Sequence, residues 1–492
     1  MPSPRRPLPL LPDHQGMTHE ARNELRSLAG IAAPLAVAQA SQLVMSLAAS
    51  VMLGRLSGSA LAASGLCAVF IQVLVVVSQG VIAGAHPLMA AARGKSETEG
   101  QGGDDAAYAF GGAILASLIL SLLSVAILLN LPAILQPFGV EADILHDVDQ
   151  FVTMAAWAVP AILWIMPIRL YFSVSGKSWL TMASVAIGAV FYVPALSTLT
   201  FGGFGFAGYG LTGAGIAYTI AWWLIAAGLT AYSLLTGHLP ASTICNASRK
   251  ATQALRDVWK IGWPIALIYA AELGMTLALT LITSGFGTVA IIANQIVYTL
   301  NNIAFNPIIA IGQATTVRVA YHLGAGRPAA ARLAGNISLM TAAGLMAFFG
   351  ALFFLASRQI IDLLLGADTV DSAAIEPLAQ QLILILAGFL VFDGIQSAAN
   401  GALRGLKDTR VPMIVDLCGY WLIGLPTAFL LSLWLDFGVI GVWFGILASI
   451  TSVACCLLLR WTYMTGRAVA SADGSVVTRE SRGVLRKMIS PT

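Results

Sequence analysis

Long apolar stretches follow one another along almost the whole chain. A helix of about 20 apolar residues is long enough to cross the roughly 30 Å hydrocarbon core of a bilayer. The stretches are continuous and rich in Leu, Ala and Ile, whereas the strands of a membrane barrel alternate between apolar and polar residues. The pattern therefore predicts an all-α polytopic membrane protein.

Twelve transmembrane helices account for these stretches. The second and eighth stretches are longer than one crossing requires, so we expect those helices to tilt or to extend into the cytoplasm. Prolines within several stretches are expected to kink the helices, because proline removes a backbone hydrogen bond. The predicted spans are 28–54, 60–92, 106–130, 151–172, 179–201, 211–236, 261–285, 288–321, 332–356, 377–403, 411–435 and 438–464.

The composition agrees with a membrane location. Of the 492 residues, 58% are hydrophobic and only 10% are charged, whereas soluble domains carry about 25% charged residues. The five cysteines and six histidines are scattered along the chain. They predict no metal site and no disulfide framework, and we expect no bound cofactor.

The sequence Gly176-Lys177-Ser178 resembles the end of a phosphate-binding loop. That motif needs a glycine five residues before its second glycine, and Tyr171 occupies that place. We therefore expect neither a nucleotide nor a nucleic acid as a partner. The expected partners are the lipid bilayer and small molecules, and the chain is expected to be a monomer.

The positive charges predict the orientation in the membrane. If the N-terminus is cytoplasmic and the spans alternate, 24 of the 26 Lys and Arg residues lie on the inner side. Only Arg55 and Arg358 fall outside, and the outer segment 137–150 carries four acids and no base. This distribution follows the positive-inside rule, so both termini are expected in the cytoplasm. Segment 1–27 shows no pattern of a cleaved signal peptide.

The chain also matches itself at an offset of 230 residues. PLAVAQASQLVMSLAASVMLG (34–54) aligns with PIALIYAAELGMTLALTLITS (264–284), with seven identities in 21 positions, and the same offset places Gly94 over Gly324. Each repeat holds six spans, so both repeats face the same way, as in several transporters. Two such lobes would enclose a central cleft, which rocking motions would open to alternate sides.

Five parts of the chain follow from the repeat and the orientation. Two six-helix lobes are joined by a polar, basic linker and flanked by cytoplasmic segments. The parts are the N-terminal segment 1–27, the first lobe 28–236, the linker 237–260, the second lobe 261–464 and the C-terminal tail 465–492.

Three acids fall within the predicted spans: Glu272, Asp393 and Asp416. A charged group near the bilayer centre costs at least ~2.5–3.5 kcal/mol, and such residues usually face a cavity and mark an ion or proton pathway. We expect Glu272 and Asp393 to bind a proton, a sodium ion or a cationic substrate. Asp416 lies near the cytoplasmic end of its span and near Arg410, which favours a structural role.

Other polar side chains accompany these acids, almost all of them in the second lobe. In the first lobe the repeat places Gln42 at the position of Glu272 and Leu163 at the position of Asp393. Ion coupling is therefore predicted in the second lobe. The candidate cavity-lining residues are Gln42, Tyr269, Thr276, Asn294, Gln295, Tyr298, Asn302, Gln396 and Asn400.

Several motifs resemble the multidrug and toxic compound extrusion (MATE) family, especially its NorM-like branch. They are ALRGLKDTRVPM (402–413), IGQATTVRVAYHLGAG (311–326), GRL (54–56), the Arg169–Lys177 loop and the Glu-bearing seventh span, and the resemblance covers nearly all of 28–464. It implies two six-helix lobes arranged in a V. It also implies an antiporter of the bacterial inner membrane that exports organic cations or lipophilic drugs against protons or sodium. Glu272 and Asp393 would be its ion-coupling carboxylates.

The chain departs from the NorM-like pattern at one position. Those relatives commonly carry an aspartate in the middle of span one, where this chain has Ala49. A mechanism that protonates this aspartate is therefore not available here. Phe389, one turn before Asp393, offers no oxygen to a sodium ion. This favours a proton over sodium as the coupling ion.

Two other functions fit a polytopic chain. A flippase for lipid-linked oligosaccharides would need a basic cavity for its pyrophosphate, whereas the acids within the spans make this cavity acidic. An intramembrane transferase would need a His/Asp or paired acidic motif at the lipid–water boundary, and none stands out. The internal duplication favours a carrier.

Overall fold

A computed structural model describes most of the chain, and what it describes is almost entirely helical. The predicted N-terminal segment, linker and C-terminal tail lie partly outside the described residues. The described ranges are 14–99, 103–203, 207–237, 251–365 and 372–472.

Long helices dominate, with short helices between some of them. In chain order they are α1 (His14–Leu56), α2 (Gly58–Ile82), α3 (Ala85–Glu99), α4 (Gly103–Leu129), α5 (Leu131–Leu135), α6 (Ala142–Ala155), α7 (Ala158–Val174), α8 (Ser178–Phe201), α9 (Gly210–Leu235), α10 (Ala251–Ser284), α11 (Thr288–Gly324), α12 (Pro328–Leu355), α13 (Ser357–Leu365), α14 (Ser372–Gly405), α15 (Arg410–Trp434) and α16 (Gly438–Ala472).

These helices confirm the predicted all-α membrane architecture. Within the described ranges, 11 helical segments are long and apolar enough to cross a membrane. The pair α6 and α7, bent by 41° at its break, adds a twelfth span. Pro160 lies in the first turn of α7, directly after this bend. Proline is tolerated there because the amide groups of the first turn have no partner within the helix.

The fourth span begins earlier than the sequence predicts. Helix α6 starts at Ala142, inside the segment predicted as an outer loop. Its apolar residues, among them Ile144, Leu145 and Val148, recur at helical spacing, and Asp143 lies in the first turn, where the helix dipole favours an acid. The acids of this segment therefore belong to an amphipathic helix that leads into the membrane.

Two spans depart from a regular α-helix. The second, predicted as one long helix, is broken after Ile82 into α2 and α3. In α15 the turns widen to π-helical geometry at Cys418–Gly424 and Leu430–Trp434, with Pro426 between them. Proline lacks the amide hydrogen that the regular ladder uses, and wide turns of this kind are frequent at functional sites.

The apolar side chains form two cores, one centred in each lobe, and the second core also includes residues of α1 and α3 such as Leu28 and Ala90, where the lobes meet. Phe110 and Phe172 are fully buried in the first core, and Trp443 and Trp461 are almost fully buried in the second. This arrangement confirms the layout of two six-helix lobes.

The lobes meet at the ends of the helices that are predicted to be cytoplasmic. Helices α1 to α4 contact α10 and α11 there. A Cβ atom on Gly94 would lie 2.0 Å from the carbonyl oxygen of Tyr321, and one on Gly324 would lie 2.0 Å from that of Ala91. The offset of 230 relates Gly94 to Gly324 and Ala91 to Tyr321, so one contact occurs twice about a pseudo-two-fold axis. Backbone packs directly on backbone, and this side of the cleft is closed.

Candidate functional site

The structure places the two predicted coupling carboxylates within electrostatic range of each other in the second lobe. Glu272 lies midway along α10 and is half-buried, while Asp393 lies on α14 and is only 7% exposed. The two side chains are close enough for their charges to repel each other. Two helices far apart in sequence thus supply one acidic site.

Asp393 shares one face of α14 with two amide side chains whose oxygens, like its own Oδ2, lack a hydrogen-bond donor. Its Oδ2 atom is buried without a partner, and so are Oε1 of Gln396 and Oδ1 of Asn400. The spacing of three and four residues places these side chains on one face of α14. A buried polar atom without a partner costs about 1–3 kcal/mol. Three such oxygens on one face form a site that a proton or a cation would complete.

Asp416 belongs to the same site, although its sequence position favoured a structural role near Arg410. It lies on α15 with an exposed fraction of 0%. The Nε2 atom of Gln396 donates to its Oδ1 at 3.2 Å, and the Nδ2 atom of Asn400 donates to its Oδ2 at 3.2 Å. We call Glu272, Asp393, Asp416, Gln396 and Asn400 the carboxylate cluster.

A cation lies at the edge of the carboxylate cluster. Arg404, near the end of α14, attracts both Glu272 and Asp416 electrostatically. Its Nη1 atom donates to the hydroxyl of Tyr269 at 3.0 Å, and its guanidinium lies 5.3 Å from the centre of that ring. Tyr269 therefore contacts the arginine at the edge of the cluster, and this arginine engages its hydroxyl. Its place in the lining of a cavity stays a prediction.

Two other predicted cavity-lining residues pack inside the second lobe instead. Asn294 is buried, and its Oδ1 accepts a hydrogen bond from the indole of Trp443 at 3.0 Å. The ring of Tyr298 lies 5.6 Å from that of Trp443. Both residues stabilise the packing of α11 on α16, a role that the local sequence did not reveal because Trp443 is remote in the chain.

The remaining predicted residues have more accessible side chains. Thr276, Gln295 and Asn302 are exposed, and Gln42 is half-buried on α1. The hydroxyl of Thr276 donates to the backbone oxygen of Glu272 at 3.0 Å. Among the described residues, no side-chain hydrogen bond connects any of these four to the carboxylate cluster. Their place in the cleft stays a prediction.

The first lobe has an apolar interior where the second lobe has the carboxylate cluster. At the offset of 230, the residues equivalent to Asp393, Gln396, Asn400 and Asp416 are Leu163, Met166, Leu170 and Ala186. Leu163 is completely buried, and it belongs to the apolar core of the first lobe. Only Gln42, the counterpart of Glu272, keeps a polar group at its position.

A second polar site, which the sequence analysis did not predict, joins the lobes on the closed side. The guanidinium of Arg318 on α11 donates two hydrogen bonds of 2.6 Å to the carboxylate of Glu24 on α1. His322 lies 3.1 Å from the same carboxylate. Glu24 is only 8% exposed. We call these three residues the interlobe bridge.

Neither site resembles a conventional metal centre. Among the residues that the structure describes, no group of three or more His, Cys, Asp or Glu side chains is arranged to hold a metal ion. A monovalent cation at the carboxylate cluster would instead be bound by carboxylate and amide oxygens.

Comparison with a protein-family model places both repeats in one family. The MatE model matches residues 34–196 and again residues 264–430. The two matches begin 230 residues apart, at the offset of the internal repeat.

Curated relatives and solved structures agree with this match. The chain is 34% identical to the probable multidrug resistance protein NorM of Burkholderia pseudomallei, over 88% of this chain and 91% of the relative. It is 33% identical to the multidrug resistance protein NorM of Burkholderia vietnamiensis, over 93% of this chain and 99% of that protein. The crystal structure of the eukaryotic MATE transporter AtDTX14 superposes with a TM-score of 0.77 at 21% identity, covering 96% of this chain and 99% of that one.

Proposed function

The chain belongs to the MatE family of multidrug efflux transporters and is a membrane carrier rather than an enzyme, and from this premise we propose that it is a secondary antiporter. It exports organic cations or lipophilic small molecules in exchange for protons or sodium ions. The names of the relatives favour drug export over the flipping of lipid-linked oligosaccharides.

The observation that carries this proposal is the carboxylate cluster with its unpaired oxygens. Asp393 and its two amide neighbours offer only acceptors on their free side, so they bind a proton or a cation but have nothing to donate to an anion. An ion and a cationic substrate that use the same carboxylates exclude each other. Exchange follows if the ion binds the two conformations of the transporter unequally.

The closed side of the cleft supports a direction for this exchange. The lobes meet at the helix ends that carry most of the positive charge, which the positive-inside rule places in the cytoplasm. In this conformation the cleft faces the opposite side, where substrate leaves and the coupling ion enters. We place the chain in the bacterial inner membrane with both termini inside.

The surroundings of Asp393 favour a proton over sodium. Phe389, one turn earlier on α14, is 6% exposed and packs edge-on against Trp443 at 6.3 Å. It supplies no oxygen where a sodium ion bound in this helix would use one. A proton needs only the carboxylate and an acceptor beside it, which Gln396 and Asn400 provide.

Transport in proteoliposomes tests the proposal. Ethidium, a fluorescent organic cation, is followed under a pH gradient without sodium and under a sodium gradient without a pH difference, with wild type and Asp393→Asn. We expect wild type to move ethidium under the pH gradient and the variant to move none. Transport by Asp393→Asn at the wild-type rate, or no transport by wild type under either gradient, would refute the proposal.

A further inference from the structure

We propose that Asp416 is a positioning residue, which orients the amides of Gln396 and Asn400 so that their carbonyl oxygens face the coupling ion at Asp393. The inference rests on the proposed function, since it assigns a further residue to the same coupling site. Asp416 itself holds the amides and does not receive the ion.

The hydrogen bonds of Asp416 determine how the two amides are turned. An ionised carboxylate can only accept hydrogen bonds, and each amide has one donor end and one acceptor end. Gln396 and Asn400 each direct the NH₂ group to a different oxygen of Asp416, both at 3.2 Å. Their carbonyl oxygens are therefore turned away from Asp416, and those are the two oxygens that have no donor.

This orientation favours the protonated form of Asp393. Hydrogen-bond acceptors stabilise a carboxylic acid, whereas donors stabilise a carboxylate. The NH₂ group of Gln396 donates to Asp416 and to the hydroxyl of Tyr420, the latter at 2.5 Å, and that of Asn400 donates to Asp416. Both amides therefore direct their donor ends away from Asp393. If one amide turned over, it would present a donor to Asp393 and make protonation harder.

The fold itself does not require an acid at this position. In the first lobe the equivalent residue is Ala186, and that lobe packs the same six spans. Other groups already join α15 to its neighbour α16, for example Ser449, whose hydroxyl donates to the backbone oxygen of Gly419 at 2.9 Å. A buried carboxylate is costly to desolvate, so it is an expensive way to pack a helix.

Other charged and titratable groups also act on this site. Glu272 on α10 and Arg404 on α14 interact electrostatically with Asp416, and Tyr420 on α15 interacts with Asp416, Glu272 and Asp393. Removing the charge of Asp416 therefore has two effects on Asp393. It changes the electrostatic potential there, and it changes how the amides of Gln396 and Asn400 are oriented. A useful experiment must separate them.

The test is the pH at which protons displace half of the bound ethidium from the purified full-length chain. Asp416→Asn presents one NH₂ group of its own, so one neighbouring amide must turn its donor toward Asp393. We expect the midpoint to fall by about half a pH unit or more, equivalent to about 0.7 kcal/mol. Gln396→Met keeps the charge of Asp416 but removes one oriented carbonyl, and it should also lower the midpoint.

The double variant separates orientation from charge. If Asp416 acts through Gln396, the shift in the double variant is smaller than the sum of the single shifts. Additive shifts would mean that Asp416 acts by charge alone and would overturn the proposal. Ser449→Ala, which removes a structural hydrogen bond of the same helix, is the matched control and should leave the midpoint unchanged.

The remaining outcomes are also decisive. An unchanged midpoint in Asp416→Asn, with pH dependence lost in Asp393→Asn, would refute the positioning role and leave the proposed function standing. Wild-type pH dependence in Asp393→Asn would refute both. If Asp416→Asn does not fold, Gln396→Met and Asn400→Leu decide, and unchanged midpoints in both would refute the proposal.

Discussion

The two lobes have the same architecture but different interiors. Each is built from six spans around its own apolar core, and they share a glycine contact, Gly94 with Tyr321 and Gly324 with Ala91, that repeats about the pseudo-two-fold axis. The second lobe contains the carboxylate cluster, whereas the first has Leu163 and Ala186 at the positions of Asp393 and Asp416.

The two lobes show that a duplicated carrier can keep the same helical architecture in both copies while their buried side chains differ. The proposed rocking motion needs two lobes of similar form, and the repeat is visible where helices touch across the interface. Binding of a coupling ion needs only one acidic site, so the interior of the first lobe can be apolar without cost to the fold. A buried charge is expensive, and a lobe that does not use one is more stable without it.

The largest effect is expected at the equivalent pair Glu272 and Gln42. Glu272→Gln gives the second lobe the residue of the first and should slow gradient-driven ethidium export about 100-fold, near the upper end of usual coupling free energies. Gln42→Leu should change the rate by less than about threefold, because the first lobe holds no coupling carboxylate. Initial rates in proteoliposomes measure both. Equal losses would mean that the lobes share the coupling chemistry.

A smaller and symmetric effect is expected at the interlobe glycines. Gly94→Ala and Gly324→Ala each place a Cβ where the structure leaves 2.0 Å to a carbonyl oxygen, so the closed side cannot form as it does here. We expect about tenfold slower export in each, which corresponds to about 1.4 kcal/mol. Gly344→Ala is the control, because nothing lies within 4 Å of its added Cβ. Very different losses at Gly94 and Gly324 would contradict the pseudo-symmetry of the interface.

At the interlobe bridge we expect an effect on stability, with the smallest effect on transport. Glu24→Gln removes the charge from a nearly buried pair with Arg318 and should lower the free energy of unfolding by about 2 kcal/mol. Glu376→Gln, which breaks the exposed pair with Arg358, should cause no measurable change. Denaturant unfolding of the two purified variants compares them. If Glu376→Gln lowered the free energy of unfolding as much as Glu24→Gln, the interlobe bridge would not be a stronger interaction than an exposed ion pair.

Hydropathy predicted the architecture because a bilayer requires long apolar helices, whereas the orientation inferred from the charges stays a prediction. The length of each apolar run gave the spans, and the offset of 230 returned as the spacing of the two MatE matches. The same reasoning failed at the start of the fourth span. There the acids of the segment 137–150 suggested a loop. In the structure most of this segment is helix α6, whose buried face carries Val148 and Phe151.

Hydrogen-bond partners on other helices could not be predicted from the sequence. Glu272 and Asp393 stood out because a carboxylate in an apolar run is conspicuous by itself. Asp416 looked like a neighbour of Arg410, since chain distance was the only guide, but its partners lie on α14. Asn294 was predicted to line the cavity for the same reason. Only the fold shows that its amide oxygen accepts a hydrogen bond from the indole of Trp443.

The most direct test of coupling in the second lobe is the release of protons when ethidium binds. A pH-indicator dye in weak buffer reports the release from wild type, Gln42→Leu and Asp393→Asn. We predict that wild type and Gln42→Leu release protons equally and that Asp393→Asn releases none or far fewer. Equal release from Asp393→Asn and wild type would show that ethidium and the proton do not share this carboxylate.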